Sequence, residues 1–337
     1  MGHRKHHAPK HGSLAYLPRH RAKSPVARIR YWPKLEADTP RLLGFIGYKA
    51  GMTYVFSIED KKRSPNFGKE VMRAATIIET PSITICGIRT YSHNPYGLQQ
   101  QTECWMKNPP ADLDRAMIIP ENFNTEAMLQ KISDGIKDTT NIRAIIATQP
   151  SQANLSKKKP EITEIEIGGG TIQQQLDYAK NLLGKTVTPE EIFKSGQYVD
   201  VAAITTGKGF QGPVKRWGVT KLQAKGRKTK RGIATLGPWN PHHLMYSIPR
   251  AGQMGYHQRI EYNKRILKMG KDPKDVNVKG GFIRYGDLKS SYIIIEGSIP
   301  GTEKRTIRLR YPARPPREVT DAAPQVTHVS VESPQGK

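Results

Sequence analysis

The sequence lacks the features that mark secreted, disulfide-rich, zinc-binding or membrane-spanning proteins. It has two cysteines, Cys86 and Cys104, and no Cys-x-x-Cys pair, which argues against a disulfide scaffold or a zinc ribbon and suits a reducing compartment. No apolar run approaches the roughly 20 residues that a membrane-spanning helix needs. The first residues, Met1–His7, contain no apolar stretch, so they do not resemble a secretory signal. We therefore expect a cytoplasmic protein.

Acidic residues are nearly absent from two segments of this 337-residue chain, whose formal net charge is +25. Residues 1–35 contain nine Lys and Arg and no acid, and residues 201–271 contain fifteen and one acid, Glu261. The other 231 residues carry 30 basic and 28 acidic side chains. This partition predicts a nearly neutral globular body with two cationic segments, whose self-repulsion a polyanion such as nucleic acid would relieve.

The second cationic segment mixes its cations with aromatic residues and glycines, most clearly in 207–218, 237–246 and 250–259. Glycine permits close backbone approach, Arg and His reach phosphates and base edges, and aromatic rings stack on unpaired bases. The alternative is a disordered basic tail that binds any polyanion, but such tails are poor in aromatics. Because neither cationic segment has clean periodicity, we expect 1–35 and 207–271 to be largely mobile in the free protein.

Apolar patterning predicts an α+β protein whose β body is interrupted twice, by an α/β insertion and by the basic segment. Strands are expected as a pair around a glycine turn within 42–56, and at 71–79, 83–91, 142–148, 161–167, 198–206, 281–285, 291–297 and 305–311. Helical spacing occupies 122–136 and 171–183, with Gly184 as a C-terminal cap, and another helix is expected to open at Thr188. The tail 312–337 is expected to be weakly structured.

Several catalytic and metal-binding motifs are suggested and then disfavoured. Gly207-Lys-Gly-Phe-Gln-Gly212 matches a dinucleotide-binding pattern, but Pro213 follows it and no acid occurs before Glu261. Ala251-Gly252-Gln253 only partly matches the Gly-Gly-Gln of release factors, and no catalytic triad or carboxylate pair stands out. Histidines cluster in two places, at His3, His6, His7 and His11 and at His242, His243 and His257. Neither cluster has an HExxH motif or a nearby cysteine, so no metal site is predicted.

Nine positions in a window of two dozen residues carry a recognisable pattern. They are Phe193, Asp200, Ala203, Thr205, Gly207, Lys208, Gly209, Gly212 and Arg216. Their spacing resembles the signature of the universal large-subunit ribosomal protein three family. The stretches 47–53, 237–247, 250–257 and 280–286 also resemble that family, the middle two in its archaeal and eukaryotic branch. The sequence departs from eukaryotic members at Thr229-Lys-Arg-Gly232, which lacks their histidine, and at Asn240.

The resemblance implies a six-stranded β-barrel of the type found in translation proteins, with an α/β insertion and two extended segments that penetrate rRNA. It implies binding to the 3′ domain of 23S-type rRNA, early assembly, and a central extension whose tip, Trp239, reaches toward the peptidyl-transferase centre. The resemblance also implies that the protein contacts neighbouring large-subunit proteins and lies near the elongation-factor-binding side. It implies neither a membrane partner nor a homo-oligomer. The implied divisions are a basic N-terminal extension (1–40), the first part of the β-barrel (41–93), the α/β insertion (94–190), a further barrel strand (191–206), the basic central extension (207–274), the second part of the barrel (275–311) and a C-terminal tail (312–337).

We therefore expect a structural, ribosome-bound protein of the cytoplasm rather than an enzyme, with no cofactor, leaving room for structural Mg²⁺ or K⁺ ions that bridge to rRNA. The alternatives are a free RNA-binding regulator and a nucleotide-dependent enzyme, and Trp217 could instead pack within the protein. The residues expected to contact RNA are Arg4, Lys5, His6, His7, Lys10, Arg19, Arg21, Lys208, Phe210, Lys215, Arg216, Trp217, Arg227, Lys228, Lys230, Arg231, Trp239, His242, His243, Arg250, Gln253, His257 and Arg259.

Overall fold

A computed structural model describes residues 11–120, 123–226, 229–316 and 322–333, which are mostly β with few helices. The strands are β1 (Arg41–Leu42), β2 (Gly44–Ile58), β3 (Glu70–Glu79), β4 (Ile83–Asn94), β5 (Gly97–Trp105), β6 (Asn141–Thr148), β7 (Ile162–Gly168), β8 (Thr186–Val187), β9 (Tyr198–Ile204), β10 (Phe210–Gln211), β11 (Gly252–Gln253), β12 (Gln258–Gly270), β13 (Tyr292–Glu296), β14 (Thr306–Arg310) and β15 (Val326–Val329). The helices are α1 (Thr125–Asp134), α2 (Ile172–Leu182) and α3 (Pro213–Trp217). Within the described ranges, no helix has the length and apolarity that crossing a membrane requires.

The chain folds into two compact units, each made of segments that are distant in sequence. We call Met1–Pro25 with Ile204–Gln258 the acid-free unit, because the sequence has no Asp or Glu in those ranges. We call Val26–Ala203 with Arg259–Lys337 the sheet unit, because it holds nearly all of the two large sheets.

The larger sheet has seven strands in the order β14-β9-β12-β13-β3-β2-β15, and β14 also pairs with β2. The additional pairing closes six of these strands into a ring. Leu309 on β14 stands opposite Phe45 on β2, which fixes that closing register. Ile77, Leu267 and Ile294, from β3, β12 and β13, belong to one buried apolar cluster. Burying each such side chain contributes about 1.5–3 kcal/mol, so this cluster stabilises the sheet.

Strand β2 is one continuous strand of 15 residues with a bulge between Lys49 and Gly51. The sequence prediction of two strands around a glycine turn is therefore wrong. A Cβ added at Gly51 would lie 2.6 Å from the ring of Phe282, and one added at Gly47 would lie 2.6 Å from Ile78. The glycines thus permit close packing within a strand, a role that the sequence alone does not distinguish from a turn.

The smaller sheet has the order β1-β7-β6-β4-β5, with β8 also paired to β4. Helix α2 begins at a capping box, in which Thr171 accepts from the backbone of Gln174 and Gln174 accepts from the backbone of Thr171. The predicted strands at 142–148 and 161–167 and the predicted helices at 122–136 and 171–183 are confirmed, with small shifts of their ends. Strand β4, grouped in the sequence analysis with the first part of the β body, pairs with β5 and β6 in this sheet.

Three other segments differ from the sequence predictions. The helix expected at Thr188 is only a 3₁₀ turn, Pro189–Glu191, after which Phe193 is buried. The strand expected at 281–285 is a tight turn bridged between Phe282 and Gly286, with Arg284 at a φ of +63°. The tail is not weakly structured throughout, because β15 pairs with β2.

The two cationic segments also contribute to the sheet unit. Trp32 is buried there, and a Cβ added at Gly44 would lie 2.9 Å from its ring. Arg308 donates to the carbonyl of Ala27 at 3.1 Å. Nearly all of β12, which the sequence analysis placed in the central extension, lies in the larger sheet beside β13. Ile266 and Leu267 of this strand are buried, and the cations around them obscured this apolar pair in the sequence.

Candidate nucleic-acid interface

The acid-free unit concentrates positive charge. Its residue ranges contain sixteen Lys and Arg and no acid, whereas the sheet unit contains 38 Lys and Arg with all 29 acids. No carboxylate within the unit can neutralise these cations. The unit's folding therefore depends on other hydrogen-bond acceptors, and its excess charge favours a polyanionic partner.

Trp217 is buried within the acid-free unit. It ends α3, which starts at Pro213 and stops at Gly218, whose φ of +68° is the left-handed conformation that glycine adopts easily. The indole is only 5% exposed, and its Nε1 donates to the carbonyl of Arg250 at 2.7 Å. The Arg19 guanidinium lies over the ring at 3.7 Å from its centroid. A buried and covered ring offers little surface to an RNA base, so the packing alternative for Trp217 fits the structure better than stacking.

Two arginines next to Trp217 donate hydrogen bonds to the backbone around it. Arg19 donates to the carbonyl of Arg216 at 2.8 Å. Arg216 donates to the carbonyls of Gln253 and Arg250, each at 2.9 Å, and burial lowers its pKa. Carbonyl oxygens accept hydrogen bonds from these guanidinium groups without cancelling their charge, so both groups contribute to the field of the unit while holding it together.

His257 and Gln253 also make internal contacts. His257 is buried, and its Nδ1 lies 2.7 Å from the carbonyl of His20, which can only accept, so Nδ1 carries the proton. The backbone N–H of Ala22 donates to the carbonyl of Tyr256 at 2.8 Å. The Gln253 side chain donates to the carbonyl of Gly255 at 2.9 Å. These contacts fasten residues 20–22 to 253–257, although Gln253 and His257 were predicted to contact RNA.

The backbone next to strands β10 and β11 has a conformation and a close contact that require glycine at position 255. Phe210 on β10 pairs with Gln253 on β11, which makes a two-stranded ribbon. Gly255 follows with a φ of +73°, and an added Cβ there would lie 2.0 Å from the carbonyl of Thr206. A side chain at 255 would therefore force the ribbon apart.

The remaining predicted contacts lie on the surface. Phe210 is 77% exposed and Trp239 is 84% exposed. The Trp239 ring meets that of His242 edge to face at 5.9 Å. Exposed polar candidates in this unit are Arg21, Lys208, Lys215, Lys230, Arg231, His242, His243 and Arg250. Together these groups offer two aromatic faces and dispersed cations, an arrangement suited to unpaired bases and phosphates.

Some predicted residues lie elsewhere. Arg259 is half-buried on β12 and belongs to the sheet unit. Outside the described residues are Arg4, Lys5, His6, His7, Lys10, Arg227 and Lys228. In the ranges that the structure describes, no group of three His, Cys, Asp or Glu side chains could hold a metal ion.

Sequence reasoning missed the stack of Arg19 on Trp217, which joins residues nearly two hundred positions apart. It also missed Gly12, where an added Cβ would lie 3.0 Å from the Trp217 ring. One signal was available, because arginines of an acid-free segment that pack against the protein have no carboxylate in the segment and must donate to other acceptors such as carbonyls.

Known proteins resemble this chain over almost its full length. The family model described as Ribosomal protein L3 matches residues 1–336. A protein of Archaeoglobus fulgidus named large ribosomal subunit protein uL3 is 45% identical over 337 residues, covering 99% of this chain and 100% of the relative. Proteins of the same name from Methanocaldococcus jannaschii and Pyrobaculum calidifontis are 46% and 45% identical, covering 98% and 96% of this chain and 98% of each relative.

Proposed function

Because the chain belongs to the ribosomal protein L3 family, we propose that it is a structural constituent of the large ribosomal subunit, bound to rRNA in the cytoplasm. This role is not enzymatic. Its partners are large-subunit rRNA and neighbouring ribosomal proteins. The proposal extends to the 3′ domain of 23S-type rRNA, to early assembly, and to a position near the elongation-factor-binding side.

One observation carries the proposal for RNA: a compact unit with sixteen cations and no acid, whose half-buried Arg19 and Arg216 donate to backbone carbonyls. A globular protein with no polyanionic partner would gain stability from acids placed among these cations. RNA phosphates supply the missing negative charge and release condensed counterions as they do so.

The geometry divides the candidate residues into two roles. Trp217, Arg216, Gln253 and His257 hold the unit in shape, together with Arg19. We assign direct RNA contact to Phe210, Trp239 and the exposed cations and histidines, and extend that assignment to the predicted residues outside the described ranges. The tip around Trp239 is the part that we propose reaches toward the peptidyl-transferase centre.

The fold proposal is that the six-stranded ring is a β-barrel of the translation-protein type. The smaller sheet with α1 and α2 would then be its α/β insertion, and the basic segments its two rRNA-penetrating extensions. The closing pair of β14 with β2 supports the barrel.

A salt titration of rRNA binding by the full chain tests the role. Each phosphate contact contributes roughly −0.7 to −0.9 to the slope of log K against log salt. Replacing Lys208, Lys215 and Lys230 by alanine should make the slope shallower by about 2. Sedimentation of cell extract is the companion test, and the chain should travel with large subunits. A chain that stays at the top of the gradient would favour a free RNA-binding regulator.

A further inference from the structure

The turn between β2 and β3 has a cationic outer surface with an aromatic ring on it. We call residues 59–69 the hairpin loop. Lys61, Lys62 and Lys69 are exposed there, and Phe67 is 53% exposed. The hairpin loop lies in the sheet unit and outside both cationic segments, and the sequence predicted no RNA contact in it.

The two acids of the hairpin loop, buried Glu59 and half-buried Asp60, pair with arginines of the sheet, so the formal charge of the loop understates the field at its surface. Glu59 pairs with Arg73 at 2.5 Å, and its other oxygen accepts from the backbone of Lys61 at 3.2 Å. Asp60 accepts from the buried Arg265 at 2.7 Å. Arg73 also pairs with Glu296, so one arginine is shared between two glutamates. With Glu59 and Asp60 each paired to an arginine, the exposed lysines contribute most to the potential at the surface of the loop.

One carboxylate next to the loop remains at the surface. Glu70 begins β3 and is exposed, and it accepts from the hydroxyl of Thr327 on β15. Its single charge opposes the three lysines and Arg63, which is also exposed, so the surface remains cationic.

The backbone of the hairpin loop is held by its own hydrogen bonds. Ser64 donates to the carbonyl of Lys61 at 2.9 Å, Phe67 donates to that of Ser64 at 3.1 Å, and Gly68 donates to that of Glu59 at 2.9 Å. Gly68 has a φ of +74°, with nothing near an added Cβ. A prearranged loop loses less conformational entropy when a ligand binds.

Another hairpin turn of the sheet unit shows why the cations matter. Tyr96, between β4 and β5, is fully exposed, yet residues 90–106 contain no Lys or Arg. An exposed ring is therefore common to both turns. Of these two turns, the hairpin loop is the one that combines the ring with exposed lysines and with acids paired to arginines.

We propose that the hairpin loop is a second RNA-contact site, binding backbone phosphates with Lys61, Lys62 and Lys69 and stacking an unpaired base on Phe67. This inference rests on the proposed function, since rRNA is the RNA in question. A planar aromatic face beside several cations matches single-stranded or looped RNA better than an acidic protein, which has no base to stack.

The charge part is tested with the full chain and deproteinised large-subunit rRNA. Replacing Lys61, Lys62 and Lys69 by alanine should make the salt slope shallower by about 2, because three phosphate contacts are lost. The matched control replaces Lys107, Lys131 and Lys137, which are also exposed or partly exposed and alter the net charge equally, and should leave the slope unchanged. Equal slopes for the wild type and the hairpin-loop variant would overturn the proposal.

The same titration separates this inference from the proposed function. If only the hairpin-loop proposal fails, the variant lacking Lys208, Lys215 and Lys230 still has a shallower slope. If the proposed function fails, neither set of substitutions changes it.

The stacking part is tested with Phe67→Ala, which should weaken binding of a mixed-sequence 12-nucleotide single strand by about 5-fold or more. Phe67→Tyr should restore binding, and Tyr96→Ala should have no effect. Melting temperatures should match the wild type, because both rings are exposed. In intact subunits, ultraviolet crosslinking should attach a nucleotide to the Phe67 peptide, and a crosslink to protein instead would overturn the proposal.

Discussion

The acid-free unit and the sheet unit bind their least exposed arginines in different ways, although those of the sheet unit are buried and Arg19 and Arg216 of the acid-free unit are half-buried. In the sheet unit, Arg310 is buried against Asp200 at 2.9 Å, and Arg265 is buried against Asp60. In the acid-free unit, Arg19 and Arg216 bond to carbonyl oxygens. The first arrangement cancels charge and the second keeps it. Two buried arginines of the sheet unit are thus paired with carboxylates, whereas Arg19 and Arg216 of the acid-free unit keep an uncancelled charge that a polyanion can neutralise.

Arg308 is an informative exception in the sheet unit. It is buried, it donates to the carbonyls of Ala27 and Glu164, and burial lowers its pKa to about 10. Segment 26–32 lies against it, with Trp32 near the guanidinium. Carbonyl-bonded arginine therefore occurs where the N-terminal cationic segment packs, in the sheet unit as in the acid-free unit.

The largest expected effect comes from breaking a charge pair in the sheet unit. Asp200→Asn leaves Arg310 buried without a carboxylate, which should lower the free energy of unfolding by about 3–5 kcal/mol. Urea titration followed by far-ultraviolet circular dichroism measures this. Asp112→Asn, which breaks the exposed pair with Arg115, should cost less than about 1 kcal/mol. Similar losses in the two variants would contradict the importance of burial.

A second test exchanges roles between two tryptophans of the acid-free unit. Trp239→Ala should weaken rRNA binding by about 1–3 kcal/mol and change chemical probing of rRNA near the tip, without altering protein stability. Trp217→Ala should instead speed amide exchange across 11–25 and 250–257, because it removes the ring between them. The reverse pattern would show that Trp239 packs in the protein and Trp217 faces RNA.

A smaller effect is expected at the stack itself. Arg19→Ala removes a cation–π contact worth about 0.5–2 kcal/mol, so protection of amides in 11–25 should fall by roughly 2- to 30-fold. Arg19→Lys should give an intermediate result, since lysine keeps the charge but not the planar group. Arg21→Ala is the control, because Arg21 is exposed, and it should leave protection unchanged. Equal protection in all variants would mean that the stack does not fasten the segment.

The smallest expected effect is a pH dependence confined to the sheet unit. Burial raises the pKa of the Cys86 thiol from 9.0 to about 11. The unfolded thiol loses its proton first, so this contribution to stability is complete below pH 9 and is lost as pH rises toward 11. Urea titrations at about pH 8 and about pH 10.5, with Cys86→Ala as the control, measure it. If the difference in the free energy of unfolding between the two pH values were the same in Cys86→Ala as in the wild type, the pH dependence would come from other groups.

Much of the fold could be predicted from the sequence because β-branched runs and helical spacing are local signals. Strands β3, β4, β6 and β7 follow such runs, and α2 follows its capping residue. The glycines of β2 could not be interpreted, because Phe282 comes close only after more than 200 intervening residues have folded.

The candidate site was predictable as a region and less so residue by residue. Missing acids identified the region, since charge is readable from composition. Whether a given cation or ring faces solvent depends on tertiary contacts, so Trp217 and Trp239 look alike in sequence and differ in the structure. The hairpin loop was missed for the opposite reason, because Glu59 and Asp60 offset its lysines in a count of charges but not at its surface.

The acid-free unit joins the start of the chain to residues past its middle, and this has a consequence for synthesis. Arg19 meets the carbonyl of Arg216 across 197 positions. At about 5–20 residues per second, the ribosome needs roughly 10–40 s to make the chain between them. During that time the first 25 residues lack their folding partners and present uncovered cations to every RNA nearby. A new chain therefore passes through a stage in which its earliest segment can be captured before the unit that should hold it exists.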